Sequence, residues 1–305
     1  MLIFMSSSMV RHYDSCLTIN LDAVVANWRY IDSLSVASTT TAAMVKANGY
    51  GLGANEIAAA LAGAGCRAFF VANLDEAITL RQHLDANGFS TLRIMTLHGC
   101  HLKQLKDHAA FRITPVLNDL EQLSRWCVFS QQQTELLPAM LHFDTGMTRL
   151  GFDPEQSAWL IQNKTALDGL NCPYIMSHLV SAEIPDDPKN AAQLATFNRL
   201  RRSFPGMPAT LANSAGSMLS PDYHFQMTRP GIALYGVHPT DRPTDKLAPA
   251  IGWQARILQI RQAKIGDRVG YGGTHLLSRD SKIAAVGVGY ADGYNRRLGG
   301  KAPCS

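Results

Sequence analysis

Short apolar runs alternate with helix-like stretches through most of this 305-residue chain, and that alternation limits its fold more than any other feature. Thr39–Asn48, rich in Thr, Ala, Val and Met, ends at an Asn-Gly pair and precedes an Ala-rich helical stretch, Ala54–Ala64. Ala68–Ala72 reads as a strand and Leu74–Ala86 as a helix. Leu92–Leu97 and Arg112–Leu117 are the next strands, the latter leading into a helix over Asn118–Trp126. Met140–Phe143 is a strand ending in Asp144-Thr145-Gly146, with a helix over Pro154–Gln162 behind it. Pro173–Ser177 runs into His178, and Pro188–Leu200 is helical, with Pro188 where a first turn tolerates it. Ala209–Ala212 ends in Asn213-Ser214, and Ile232–Tyr235 follows Arg229-Pro230-Gly231.

Strands alternating with helices call for a parallel sheet. About eight such units in roughly 230 residues fit a (β/α)8 barrel better than an open sheet. From Ala248 the texture changes to β-rich runs with glycine punctuation: Trp253–Gln262, Arg268–Tyr271 and Lys282–Tyr290. The expected fold is α/β, a TIM-type barrel over residues 1–245 followed by a partial, mainly β domain over 246–305.

Composition narrows the function classes. Hydrophobic residues make up 46% and charged residues 17%, which excludes a disordered or collagen-like chain. A net charge of +4 is too small for a nucleic-acid footprint, and no apolar run approaches the ~20 residues of a membrane span. Cys16, Cys66, Cys100, Cys127, Cys172 and Cys304 are scattered without a C-x-x-C, as expected of free thiols in a reducing compartment. The start lacks a basic n-region, so the chain reads as cytoplasmic, with Met5 or Met9 as alternative starts. His98-Gly99-Cys100-His101 lacks further ligands at metal spacing and reads as a loop, so no metal is expected.

The polar residues stand at strand ends, where barrels of this type keep their functional face. Lys46 closes the first strand; desolvated there, its amine would lose its proton more readily and could form a Schiff base with an aldehyde cofactor. Gly49, Gly51 and Gly53 suit a tight loop beside it. Arg149 follows Asp144-Thr145-Gly146, His178 follows the sixth strand, Asn213-Ser214 the seventh, and Arg229-Pro230-Gly231-Ile232 opens the last unit. Each alone is ordinary turn chemistry; polar residues at matching ends of several strands weaken that reading.

These segments resemble alanine racemase: Val45-Lys46-Ala47-Asn48-Gly49-Tyr50-Gly51, Phe143-Asp144-Thr145-Gly146-Met147-Thr148-Arg149-Leu150-Gly151, Ser177-His178-Leu179, Ala212-Asn213-Ser214-Ala215, Arg229-Pro230-Gly231-Ile232-Ala233-Leu234-Tyr235-Gly236 and Val288-Gly289-Tyr290-Ala291-Asp292-Gly293. They occur in the family's order from about Leu17 to Pro303. The resemblance implies a pyridoxal 5'-phosphate enzyme that interconverts L- and D-alanine as a homodimer. It makes Lys46 the cofactor-bearing lysine and one proton carrier, and Tyr290 the other, acting across the subunit interface. Racemisation removes a proton from one face of Cα and delivers one to the other, so two groups on opposite faces suffice. The resemblance further implies Arg229 as partner of the ring nitrogen, His178 beside the ring, and Arg149 near the substrate carboxylate. Tyr50, Ser214, Gly231 and Ile232, with Asn213, become the phosphate binders.

Two departures stand out. Where many members have a lysine two residues before the Asp-Thr-Gly, this chain has His142. The family also continues several dozen residues beyond Pro303, so the C-terminal end is expected to be lacking. The alternatives are a non-catalytic pyridoxal-phosphate-binding protein and an inactive truncated racemase; the β segment with Tyr290 favours the enzyme over the first.

Overall fold

The structure, a computed structural model, describes residues 13–242 and 244–298. Cys304, the candidate starts Met5 and Met9, and the chain end from 299 lie outside the described residues. The described residues fall into two compact units, one within residues 20–250 and one of residues 13–19 with 251–298.

The larger unit is built on a parallel sheet whose order runs Thr40–Thr41, Met227–Thr228, Ala209–Thr210, Ile175–Met176, Met140–His142, Ile113–Leu117, Arg93–Thr96, Ala68–Val71, Ala43–Met44. The two end members are halves of one strand interrupted at Ala42. On one side that strand donates from Ala42 N to Thr228 O and from Met44 N to Pro230 O, both 2.9 Å; on the other, Val45 N reaches Phe70 O at 2.9 Å. The first strand thus bonds to both the second and the last, and the sheet closes into an eight-stranded barrel, as expected.

Side chains alternate across each strand. Ala43, Val45, Phe69, Val71 and Ile94 pack outward with helix residues such as Ile57, Leu61 and Leu80. Ala42, Met44, Phe70, Met95, Val116, Met140, Met176 and Met227 fill the interior. Strands buried on both faces must be continuously apolar, which is why Ala-Phe-Phe-Val at 68–71 carries no polar residue. One period beyond the interior methionines and Val116, the inward register falls on Lys46, Asn118, His142, His178 and Arg229. The barrel core therefore ends in a polar layer at the C-terminal mouth.

The helices start where side-chain caps dictate. Asn73 accepts from Glu76 N at 3.0 Å to open Leu74–Ala86, and Asp119 accepts from Gln122 N at 2.7 Å to open Leu120–Ser130. Pro188 takes the first position of Pro188–Arg201, behind the Asp187 cap. The helix expected from Asn118 thus begins later, and Asn118 belongs to the mouth. The helices Leu21–Ser33 and Leu105–Ala110 went unread in the sequence.

In the smaller unit, Ser15–Ile19 pairs antiparallel with Ile251–Ala255, Ile257–Ala263 with Ser281–Val286, and Arg268–Val269 with His275–Leu276. The run expected over Trp253–Gln262 breaks at Arg256 into two strands. The sequence reading places every residue before 246 with the barrel, whereas Ser15–Ile19 clusters with the β-rich segment.

Candidate active site

Lys46 follows Val45 at the inward end of the first strand, and the backbone behind it is unusual. Ala47, Asn48, Gly49, Tyr50 and Gly51 have φ of 53, 52, 64, 58 and 87°, one turn of left-handed helix. For residues with a Cβ this costs roughly 1–2 kcal/mol each. Hydrogen bonds hold it: Gly51 N to Ala47 O at 2.8 Å, Gly53 N to Asn48 O at 2.9 Å, and Ala54 N to Asn48 Oδ1 at 3.0 Å. A Cβ on Gly49 would lie 3.0 Å from Ala54 N, so glycine is required for space as well as φ. The turn brings the Tyr50 ring to 5.0 Å from that of Tyr235, whose hydroxyl donates to Met44 O at 3.1 Å.

The Lys46 ammonium is easier to deprotonate than an ordinary lysine. Burial is the main cause; the Arg149 charge adds to it and Glu76 opposes it. Arg149 is presented by a loop wound around Asp144, whose carboxylate accepts from the N–H groups of Gly146 (2.9 Å), Met147 (2.8 Å) and Thr148 (3.0 Å). The Asp-Thr-Gly segment is therefore loop architecture that delivers the arginine.

Arg229 is buried at 2% exposure, and among the described residues its guanidinium forms no ion pair. It donates to Thr210 Oγ1, to Ser177 O at 2.7 Å, to Leu211 O at 3.2 Å and to His178 Nδ1 at 3.5 Å. Burial pulls its pKa down to about 9, which still leaves a cation at neutral pH. Such a donor into Nδ1 leaves the His178 proton on Nε2. Burial, with Arg229, Arg149, His142 and Lys46 behind it, holds His178 neutral. Gln193 steadies this histidine's loop, donating to His178 O at 3.0 Å and accepting from Val180 N at 2.9 Å.

His142 is fixed as one tautomer. The Asn118 amide donates to Leu97 O and Val116 O, both 3.0 Å, so its Oδ1 must accept the proton of His142 Nδ1 at 2.8 Å. That leaves His142 Nε2 as a bare acceptor. Burial first, then Arg229 and Arg149, pushes His142 down to about 3. A histidine whose folded pKa lies below its unfolded value stabilises the fold above about pH 6.5 and loses that contribution as pH falls toward 3. Thermal unfolding is therefore expected at lower temperature at pH 5 than at pH 7. The neutral variant His142→Asn should remove part of that slope, at most about 1.4 kcal/mol per pH unit; an unchanged pH dependence of its Tm would contradict this.

On the far side of the mouth, Ser214 Oγ accepts from Gly231 N at 2.8 Å and Ala233 N at 3.3 Å, at the start of the 3-10 turn Ile232–Tyr235. The Tyr50 hydroxyl stands against Gly231, in the space a Cβ there would occupy. Burial raises the Tyr50 pKa, so its hydroxyl keeps its proton and can donate.

A cleft of about 330 Å³ is lined by Lys46, Tyr50, Arg149, His178, Asn213, Ser214, Arg229, Gly231 and Ile232. A cavity of about 220 Å³ that shares Lys46, Arg149, His178 and Arg229 is lined also by His98 and His142. Nine of the ten residues singled out in the sequence thus converge. The tenth, Tyr290, lies in the other compact unit on the turn Tyr290–Asp292, exposed at 71%. Asn118, Thr210 and Gln193 join the site without a role assigned from the sequence, and Ser177, quoted there only as the neighbour of His178, contributes its carbonyl to Arg229. Asn118 was recoverable, because it continues the inward register of Val116; Gln193 carried no sequence signal. Among the described residues, no group of three or more His, Cys, Asp or Glu side chains is placed to hold a metal ion, and no helix is long and apolar enough to cross a membrane.

The C-terminal mouth of the closed barrel thus gathers a half-buried amine, two arginines and two neutral histidines, a cationic setting that suits an anionic group. The family model "Alanine racemase, N-terminal domain" matches residues 19–239, and "Alanine racemase, C-terminal domain" matches 250–305. An alanine racemase of Acidiphilium cryptum is 45% identical over 92% of this chain and 77% of its own length. A catabolic alanine racemase of Agrobacterium fabrum is 41% identical over 92% and 71%. The crystal structure of alanine racemase from Bartonella henselae with covalently bound pyridoxal phosphate superposes with a TM-score of 0.85 at 38% identity, covering 93% of this chain and 78% of that one. The chain belongs to the alanine racemase family and shares its barrel and mainly β fold.

Proposed function

We propose that this protein racemises alanine with pyridoxal 5'-phosphate bound in the barrel mouth, using Lys46 and Tyr290 as the two proton carriers. One observation carries the reading: amine, cationic rim and hydroxyl-lined cradle, from strand ends far apart in sequence, line a single cleft. The residues also fit the cofactor chemically. Arg229 is a buried cation with no ion-pair partner among the described residues, and it lines a cleft that can take an anionic or lone-pair partner. Gly231 lets the backbone come close beside Tyr50, where a side chain would intrude. When bound, the cofactor supplies an electron sink that acidifies the substrate Cα–H.

The chain's own residues would do the rest. Lys46 Nζ, relieved of part of its proton affinity by burial and by Arg149, would hold the cofactor and would carry a proton on one face of the substrate. Tyr50, Ser214 and the Gly231-Ile232 backbone, with Asn213, receive the phosphate. Arg229, unable to accept a proton, would donate to the pyridine nitrogen and leave it a hydrogen-bond acceptor. His178 would stand beside the cofactor ring and Arg149 would take the substrate carboxylate. Tyr290 serves the opposite face from the second subunit of a homodimer. In this reading residues 1–245 hold the cofactor and 246–305 bring the second base. Free thiols at Cys66, Cys100 and Cys172, each pushed up to about 12 by burial, suit a cytoplasmic setting.

Gly231→Ala is expected to displace Tyr50 and weaken cofactor binding by about tenfold or more. Titration with pyridoxal phosphate followed by its absorbance measures this; wild-type affinity in the variant would place the phosphate elsewhere.

A further inference from the structure

The helix Leu74–Ala86 begins with Asn73-Leu74-Asp75-Glu76, which reads as an ordinary capping box. In that motif the glutamate turns back to the N–H of its own cap residue. Glu76 does something else: its Oε2 accepts from Ala72 N at 2.8 Å, and its Oε1 crosses to Ala47 N at 2.9 Å. Ala72 follows the second barrel strand and Ala47 follows Lys46, so one carboxylate ties together the tops of two neighbouring strands. We propose that Glu76 is a positioning residue for Lys46, fastening the left-handed turn behind it by bridging the N–H groups of Ala47 and Ala72. The inference rests on the reading that the Lys46 amine is the reactive group.

Four observations support it. Ala47, Asn48 and Tyr50 hold left-handed backbone without being glycine, a conformation that persists only when neighbouring contacts over-determine it. The Asn48 side chain secures the far end of the turn through Ala54 N, whereas Glu76 secures the end next to the lysine. Each Glu76 oxygen takes one N–H in a charge-assisted bond, stronger than a neutral one. The same carboxylate is the anion that opposes the effect of burial and Arg149 on Lys46. The other charged or titratable groups lining the lysine's clefts are Tyr50, His98, His142, His178, Glu183 and Arg229.

Trace acetylation of the full chain with acetic anhydride across pH, read by peptide mass spectrometry, follows the titration of Lys46 without any cofactor. Glu76→Gln removes the charge but keeps the size, and the Lys46 midpoint is expected to move to lower pH. Glu76→Ala removes both acceptors, and amide exchange at Ala47 and Ala72 is expected to speed up by about tenfold. Glu76→Asp, which keeps the charge but not the reach, should leave the midpoint nearer wild type while loosening the same amides; it serves if the alanine variant does not fold. An unmoved midpoint in the glutamine variant, or unchanged Ala47 exchange in the alanine or aspartate variant, overturns the proposal. Covalent capture of pyridoxal phosphate by some other lysine would defeat the reading of Lys46 and leave these outcomes for Glu76 intact.

Discussion

Lys46→Ala is expected to abolish the visible absorbance that the wild-type protein develops with pyridoxal phosphate, and to lower racemisation by at least about 10³-fold. The expectation follows from position. Lys46 is the inward residue one period above Met44, and both clefts at the mouth include it. Its amine is desolvated and faces Arg149, so more of it is neutral near pH 7 than in a solvent-exposed lysine. The variant should still fold. Lys46 is half-buried at the mouth, whereas the barrel interior is filled by methionines, Phe70 and Val116 below it. A Tm within a few degrees of wild type, together with lost absorbance, would separate loss of chemistry from loss of structure. Wild-type absorbance in the variant would remove Lys46 from the site.

Tyr290→Phe should separate the two directions of the reaction. If each carrier serves one face of Cα, removing the phenol slows abstraction from one enantiomer by about 10²–10⁴-fold and leaves exchange of the other with solvent deuterium much less affected. Tyr290 is exposed on its turn, so phenylalanine has little packing to disturb within that unit. Its turn is held through Asp292, whose carboxylate accepts from Gly289 N at 2.9 Å, and among the described residues no hydrogen bond from the Tyr290 hydroxyl supports it. Stability should therefore be unchanged. Equal loss of exchange from L- and D-alanine would count against a two-face scheme.

The barrel was legible because its strands are buried on both faces and its helices carry explicit caps. Asp144-Thr145-Gly146 and Asn213-Ser214 stand at strand ends as expected, since the change from apolar run to polar turn is local, whereas Arg229-Pro230-Gly231, expected to open the last unit, instead follows its strand, Met227–Thr228, and Ile232–Tyr235 is a 3-10 turn. What escaped depends on distant partners. The left-handed turn at Ala47–Gly51 is stabilised by Glu76 and Ala54, and nothing at 47–51 except its glycines hints at it. Ser15–Ile19 finds its partner at Ile251–Ala255, far along the chain, so its membership of the β-rich unit is invisible to a local pattern. The helix Leu105–Ala110 spans six residues, too short for a periodic apolar stripe to show. At the site, Asn118 is masked in the sequence by its place at the start of a helical stretch, although the helix begins only at Leu120. Its amide is committed to Leu97 O and Val116 O and so dictates the His142 tautomer, a relation only the closed barrel creates.

Borohydride reduction of the protein mixed with pyridoxal phosphate, followed by peptide mass spectrometry, interrogates the covalent tether itself. The expected result is one pyridoxyl adduct per chain, on Lys46, at cofactor concentrations too low to mark surface lysines. Adducts scattered over other lysines with Lys46 unmodified would contradict the assignment of the barrel mouth as the cofactor site.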